Sequence, residues 1–186
     1  MVDAPKPLTD DALEKVLVGG LQPGRVTLID YDPTWPAAYA RHHSRIEWAL
    51  CDRIRLIEHI GSTAVPGLAA KPVIDVLVAV DDPEDEVSYL DDLVRSGYEV
   101  RVREPGHRCL RFTEGEAANV HCYAHDSVEI RRYLGLRDRL RAHADERAWY
   151  EATKRELAQR EWKDVNYYAE AKGPVIRAIL ARAGCD

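Results

Sequence analysis

The stretch EHIGSTAVPGLAAKPVIDVLVAV, residues 58–80, reads as two strands joined by a loop, and its polar residues decide how the chain is understood. The first run ends on Gly61-Ser62. A glycine there lets backbone N–H groups approach a phosphate closely, and the hydroxyl adds one more donor. The same pair also makes a common tight turn. Asp75 enters the second run between Ile74 and Val76, where a charged carboxylate is costly unless a metal, a cation or several hydrogen bonds compensate it. Asp75 therefore reads either as a metal-binding, catalytic carboxylate or as one salt-bridged to Lys71 or an arginine. Leu77, on the same strand face, stands where a second carboxylate would complete a two-metal site.

Outward from this stretch the pattern is helix, then mixed strands and helices, then helix. LTDDALEKVLVGG starts on Thr9 as an N-cap and stops at Gly19-Gly20, a short leading helix. RVTLIDYDP reads as a strand, and TWPAAYARHHSRIEWAL as a helix capped by Thr34. DPEDEVSYLDDLVRSG reads as an acidic-started helix closed by Gly97. Three further strands follow in a meander, YEVRVRE, RCLRFT and ANVHCYAH. From Ser127 the chain is helical, with an interruption around Gly173-Pro174. The expected class is α/β (α+β): a mixed β-sheet with packed helices and a helical C-terminal half. Residues 1–25 read as an N-terminal extension with a short helix, and 26–183 as a single domain.

Composition narrows the partners. The 186 residues, 46% hydrophobic and 31% charged, suit one compact domain. A net charge of −6 argues against broad affinity for nucleic acid, and a small anionic ligand remains open. No uninterrupted apolar run approaches the ~18 residues of a membrane span. Cys51, Cys109, Cys122 and Cys185 lack any CxxC pair and no secretory h-region precedes them, so they read as reduced thiols of a cytoplasmic protein.

His121 lies in the strand where a third carboxylate would be sought; it reads as a base or ligand, or else as a satisfied core imidazole. His59 reads as solvent-facing and Cys122 as core. Arg137, Lys154 and Lys172, in the C-terminal helices, are cations that could reach phosphate oxygens, against the plainer reading of a solvated face. Tyr167 and Tyr168 could stack on a base, or pack the last helix.

Ile60-Gly61-Ser62 followed by Asp75-Val76 resembles the signature of the DNA polymerase β-like nucleotidyltransferases, with Leu77 departing from it. The words YDPTWPAAY, EHIGSTAVPGLAAKPVIDVLVAV, YLGLRDRLRAH, WYEATKRELA and YYAEAKGPVI, in that order from about Val26 to Leu180, resemble the GrpB family, also called UPF0157. The resemblance implies a sheet of the nucleotidyltransferase type and a cytoplasmic protein. It also implies a domain found fused behind dephospho-CoA kinase in actinobacteria. Against that family the chain is short between Glu104 and Arg108. With Gly61, Ser62, Lys71, Arg137, Lys154 and Lys172 as binding residues, Asp75 and His121 as catalytic, and Mg²⁺ held by Asp75, the chain would be an atypical nucleotidyltransferase. The alternatives are a non-catalytic module binding a nucleotide or CoA-like ligand, and a repurposed biosynthetic enzyme doing acyl or amide chemistry.

Overall fold

The computed structural model describes residues 8–185. Five strands form one mixed sheet: β1 (Leu56–Ile60), β2 (Ile74–Val80), β3 (Glu99–Glu104), β4 (His107–Phe112) and β5 (Ala118–Ala124). The spatial order is β1-β2-β5-β4-β3, with β2 and β5 parallel and every other pair antiparallel. The two runs of the deciding stretch are thus the adjacent strands β1 and β2. The meander β3-β4-β5 is present, and its first turn is only Pro105-Gly106, because Glu104 pairs directly with His107.

Helices cover both faces. On one side α2 (Trp35–Leu50) and α3 (Leu90–Arg95) enclose a core with Ile46, Leu50, Leu93, Tyr98, Val76, Val78, Val120 and Cys122. That face is apolar throughout the central strands, as alternation along β2 and β5 requires. On the other side α4 (Val128–Ala142) packs Ile130, Tyr133 and Leu134 onto Ile60, Leu77, Ala79 and Tyr123. Behind it α5 (Ala144–Ala158), α6 (Val165–Ala171) and α7 (Gly173–Ala183) complete the helical half, with Tyr150, Val175 and Ile179 sealing Val65 and Leu68 of the β1–β2 loop.

Several local readings are revised. Residues 25–33 are not a sheet strand: they are extended, and Ile29 makes one isolated bridge to Ala70. Thr34 does not cap α2, because its N–H and Oγ1 both bond the Asp32 carboxylate, at 2.8 and 2.7 Å. The acidic-started helix shrinks to α3, since the chain before Leu90 forms only a 3₁₀ turn at Glu86–Ser88. Thr9 does cap α1 (Asp10–Val16), accepting from the Ala12 N–H at 3.2 Å. The described part of the leading segment is tied to the body: Gln22 donates its N–H to Asp164 at 2.8 Å, and Arg101 reaches both the Val18 carbonyl, at 2.5 Å, and Asp164, at 3.4 Å. Asp164 is fully buried, so this ion pair joins three distant parts of the chain away from water.

Candidate functional site

The polar end of the α4-side face begins at Asp75. The register of β2 against β5 sets Asp75 beside Asn119, whose amide donates to Oδ1 at 2.9 Å. His121, two residues further along the same face of β5, places Nε2 3.8 Å from the same oxygen. Burial alone would raise the Asp75 carboxyl, but the His121 charge, the Asn119 hydrogen bond and the Lys172 charge hold it below the usual range. Gly61 closes the other side. With φ at +70°, a Cβ there would lie 2.3 Å from Asp75 Oδ2, so glycine is required because the carboxylate packs against it. The reason is local packing, which differs from the phosphate approach read from the sequence.

His121 is the inner member of a line of four groups. Its Nδ1 lies 3.2 Å from His107 Nε2, and His107 Nδ1 lies 2.6 Å from Glu104 Oε1. The two imidazoles are stacked, with centroids 5.4 Å apart, and Tyr123 also stacks on His107, at 4.4 Å. Burial lowers His107 despite the Glu104 carboxylate, so it is neutral. Burial works against charge on His121 as well, but the Cys109 thiol, the Tyr133 phenol and Asp75 together hold it well above the ordinary imidazole value. The geometry suits a His107 that donates Nδ1–H to Glu104 and accepts at Nε2 from His121 Nδ1, with His121 Nε2 facing Asp75 at ion-pair distance. The line runs from Glu104, 44% exposed, into the cluster.

Three lysines surround the same point. Lys71 and Lys172 are both lowered, first by burial, with Asp75 as the opposing charge. Among the described residues neither has an ion-pair partner within 4 Å, so Lys71 does not form the direct salt bridge to Asp75 that one reading offered. Lys172 Nζ sits 4.9 Å from the Tyr168 ring centroid. Lys154 is 2% exposed; its Nζ donates to Ser62 Oγ at 2.9 Å and to the Ala69 carbonyl. Burial, then the Lys172 charge, pushes its pKa down to about 7. Glu151 takes the Ala69 N–H at 3.0 Å and Arg141 bonds the Ala64 carbonyl at 2.9 Å, so α4 and α5 pin the loop that carries Ser62.

The structure therefore brings Gly61, Ser62, Lys71, Asp75, His121, Lys154 and Lys172 together. It leaves Arg137 out: that guanidinium is spent on Glu58 at 2.7 Å, Asp138 at 2.8 Å and the His59 carbonyl at 3.0 Å. His59 is not solvent-facing but buried, stacked on Tyr39 at 4.6 Å and bonded to Thr63 at 3.0 Å. Tyr167 donates its hydroxyl to Asp10, and Tyr168 is buried, so the Tyr168 ring packs the helical half. Cys122 is core, as read. Glu104, His107, Asn119 and Tyr133 were not singled out by sequence reasoning. The two-residue turn at Pro105-Gly106 was the signal for pairing Glu104 with His107 across β3 and β4, while the β4–β5 register, with Cys109 opposite His121, brings His107 near His121.

The donor set does not fit a two-metal centre. Leu77 is fully buried under α4, and among the described residues no group of three or more His, Cys, Asp or Glu is placed to hold a metal ion. Two shallow surface clefts, one along α5 at Gly67, Arg147 and Glu151 and one at Leu21, Pro23 and Trp162, lie away from Asp75 and carry no comparable cluster of groups. Among the described residues no helix is long and apolar enough to cross a membrane.

A mixed-sheet α+β protein that gathers a carboxylate, a histidine and three lysines at one end of its sheet is the class these features define. A family model described as GrpB protein matches residues 25–182, and the chain belongs to that family. It is 50% identical to a UPF0157 protein of Streptomyces coelicolor over 90% of this chain and 89% of the relative. A UPF0157 protein of Halalkalibacterium halodurans is 43% identical over 95% and 93%. The crystal structure of the conserved protein GrpB from Enterococcus faecalis superposes with a TM-score of 0.74 at 32% identity, covering 84% of this chain and 96% of that one. A dephospho-CoA kinase of Mycolicibacterium paratuberculosis is 31% identical over 85% of this chain, which spans 46% of that protein.

Proposed function

We propose that the polar cluster around Asp75 binds a phosphate-bearing small molecule, with Lys71, Lys172 and His121 as its cationic side and the Ser62 hydroxyl at its edge. The observation that carries this reading is the charge imbalance: one carboxylate, itself bonded by Asn119, faces several cations, and among the described residues Lys71 and Lys172 have no ion-pair partner of their own. Half-buried unpaired ammonium groups are costly, and an anion entering between them offsets that cost. Asp75 then orients His121 and limits the net positive charge. The name of the relative that is about half covered by this chain, dephospho-CoA kinase, favours nucleotides and CoA derivatives as first ligands. Should transfer chemistry follow binding, His121 is the group placed to hold or release a proton, with His107 and Glu104 carrying it outward. Mg²⁺ receives no step here, because among the described residues no group of three or more acidic, His or Cys donors is placed to hold it.

A thermal-shift panel of ATP, CoA, dephospho-CoA and pyrophosphate, with and without Mg²⁺, tests the reading. A ligand at ~100 times its Kd stabilises by ~2.7 kcal/mol. At least one phosphate compound is expected to shift the unfolding midpoint without Mg²⁺, and Lys71→Met or Lys172→Met to weaken its binding by about tenfold or more. No shift with any of them, or unchanged affinity in both variants, would overturn the proposal.

A further inference from the structure

The contact between Ser62 and Lys154 has more in it than a pin. Lys154 Nζ is 2.9 Å from Ser62 Oγ, its other hydrogen-bond acceptor is the Ala69 carbonyl, and among the described residues no carboxylate lies within ion-pair distance of it. Glu151, one turn earlier on α5, turns instead to the Ala69 N–H and to Arg155 Nε, at 3.0 and 2.9 Å. The chain thus buries an amine against a hydroxyl while withholding the counter-ion that would keep it charged. Ser62 itself is only half-buried. A serine hydroxyl within hydrogen-bond reach of a desolvated lysine is the arrangement by which a weak nucleophile is activated, the base taking the hydroxyl proton as the oxygen attacks.

We propose that Ser62 and Lys154 form a nucleophile–base pair that accepts an acyl group from an activated ester or thioester. Ser62 Oγ bonds to the acyl carbon as its proton passes to Lys154 Nζ. The carbonyl oxygen takes the displaced electron pair, and the tetrahedral species collapses with cleavage of the bond to the leaving alcohol or thiol, which receives the proton from Nζ. Water or an acceptor amine then removes the acyl group from Ser62 by the reverse sequence. An acyl carbon suits the site because its attack moves one proton and creates one oxyanion, and the ammonium groups of Lys71 and Lys172 line the same cluster. The charges facing Lys154 are Lys172 and Asp75 from neighbouring elements and Glu151 and Arg155 from its own helix, with the Tyr150 ring centroid 4.9 Å from Nζ. Their balance, dominated by burial, makes the neutral amine accessible above about pH 7.

Labelling with a fluorophosphonate, read by intact mass and peptide mapping, tests the pair. A single adduct on Ser62 is expected, its rate rising through one ionisation near pH 7 and falling about 100-fold or more in Lys154→Met. No adduct on Ser62 in folded wild-type protein, or an equal rate in a folded Lys154→Met, would overturn the proposal. Should Lys154→Met fail to fold, Ser62→Cys supplies the second measurement. With iodoacetamide its thiol is expected to react at a pH well below the ordinary cysteine value of ~8.5, and ordinary thiol behaviour would overturn the pair. Covalent labelling needs no phosphate ligand, so this inference and the binding reading fail separately.

Discussion

Asp75 and Leu77 lie two residues apart on one face of one strand, yet their surroundings have opposite chemistry. Leu77 is sealed by Ile60, Ala79, Tyr123 and Ile130 beneath α4, whereas Asp75 lies where α4 no longer covers the sheet and retains 28% of its side-chain exposure. The difference teaches that the position of a second acidic ligand here is not an emptied metal site but part of the packing that holds α4. The polar groups that answer Asp75 come from β5 and the C-terminal helices.

The sharpest way to break this contrast is Leu77→Asp. A carboxylate placed among those apolar side chains is expected to cost roughly 4 kcal/mol or more in chemical denaturation. A variant as stable as wild type that gains metal affinity would show instead that the two positions are equivalent.

Gly61→Ala should come next, at about 3 kcal/mol, since it adds a Cβ 2.3 Å from Asp75 Oδ2 at a positive φ. Combining it with Asp75→Ala should recover part of the loss, and strict additivity in that double-mutant cycle would remove Asp75 as the cause. Asn119→Ala is expected to cost about 2 kcal/mol by taking away the amide that bonds the Asp75 carboxylate. If urea titration finds it neutral, water replaces the amide and the polar end is wetter than described.

The smallest effect is one of slope. His121 is held above its ordinary value, so its contribution to stability is complete below the unfolded imidazole pKa of ~6.5 and is lost as pH rises through the higher folded value. The stability difference between wild type and His121→Gln should therefore shrink on raising the pH from 6.5. A difference that grows over that window would mean His121 is buried neutral.

Sheet, helical half and much of the cluster were legible in the sequence, for unequal reasons. The β-branched run around Asp75 could only be a buried strand, and a lone carboxylate in it had to be explained. His121 was legible because it alternates with Val120 and Cys122 in a second such strand. Arg137 was misplaced because helix periodicity gives a face but not the distance to Glu58, whose carboxylate captures it. His107 and Glu104 were missed because their meaning depends on cross-strand register, of β3 against β4 and of β4 against β5, which no single strand displays. The leading segment looked like an appendage because nothing in its own residues announces that Arg101 and Asp164 are waiting for it.

The parallel pairing of β2 with β5 carries a kinetic consequence. Asp75 and the Asn119 amide that bonds it are separated by 44 residues of chain, and α3, β3 and β4 must be threaded between them before the contact exists. Closing so long a loop is entropically expensive and non-local pairing is slow to form. The cluster around Asp75 is thus expected to form late in folding, once the sheet's centre has joined, and a ligand that requires it should report on completion of the sheet. In refolding experiments, recovery of ligand binding should lag behind helical signal by the time that central pairing takes.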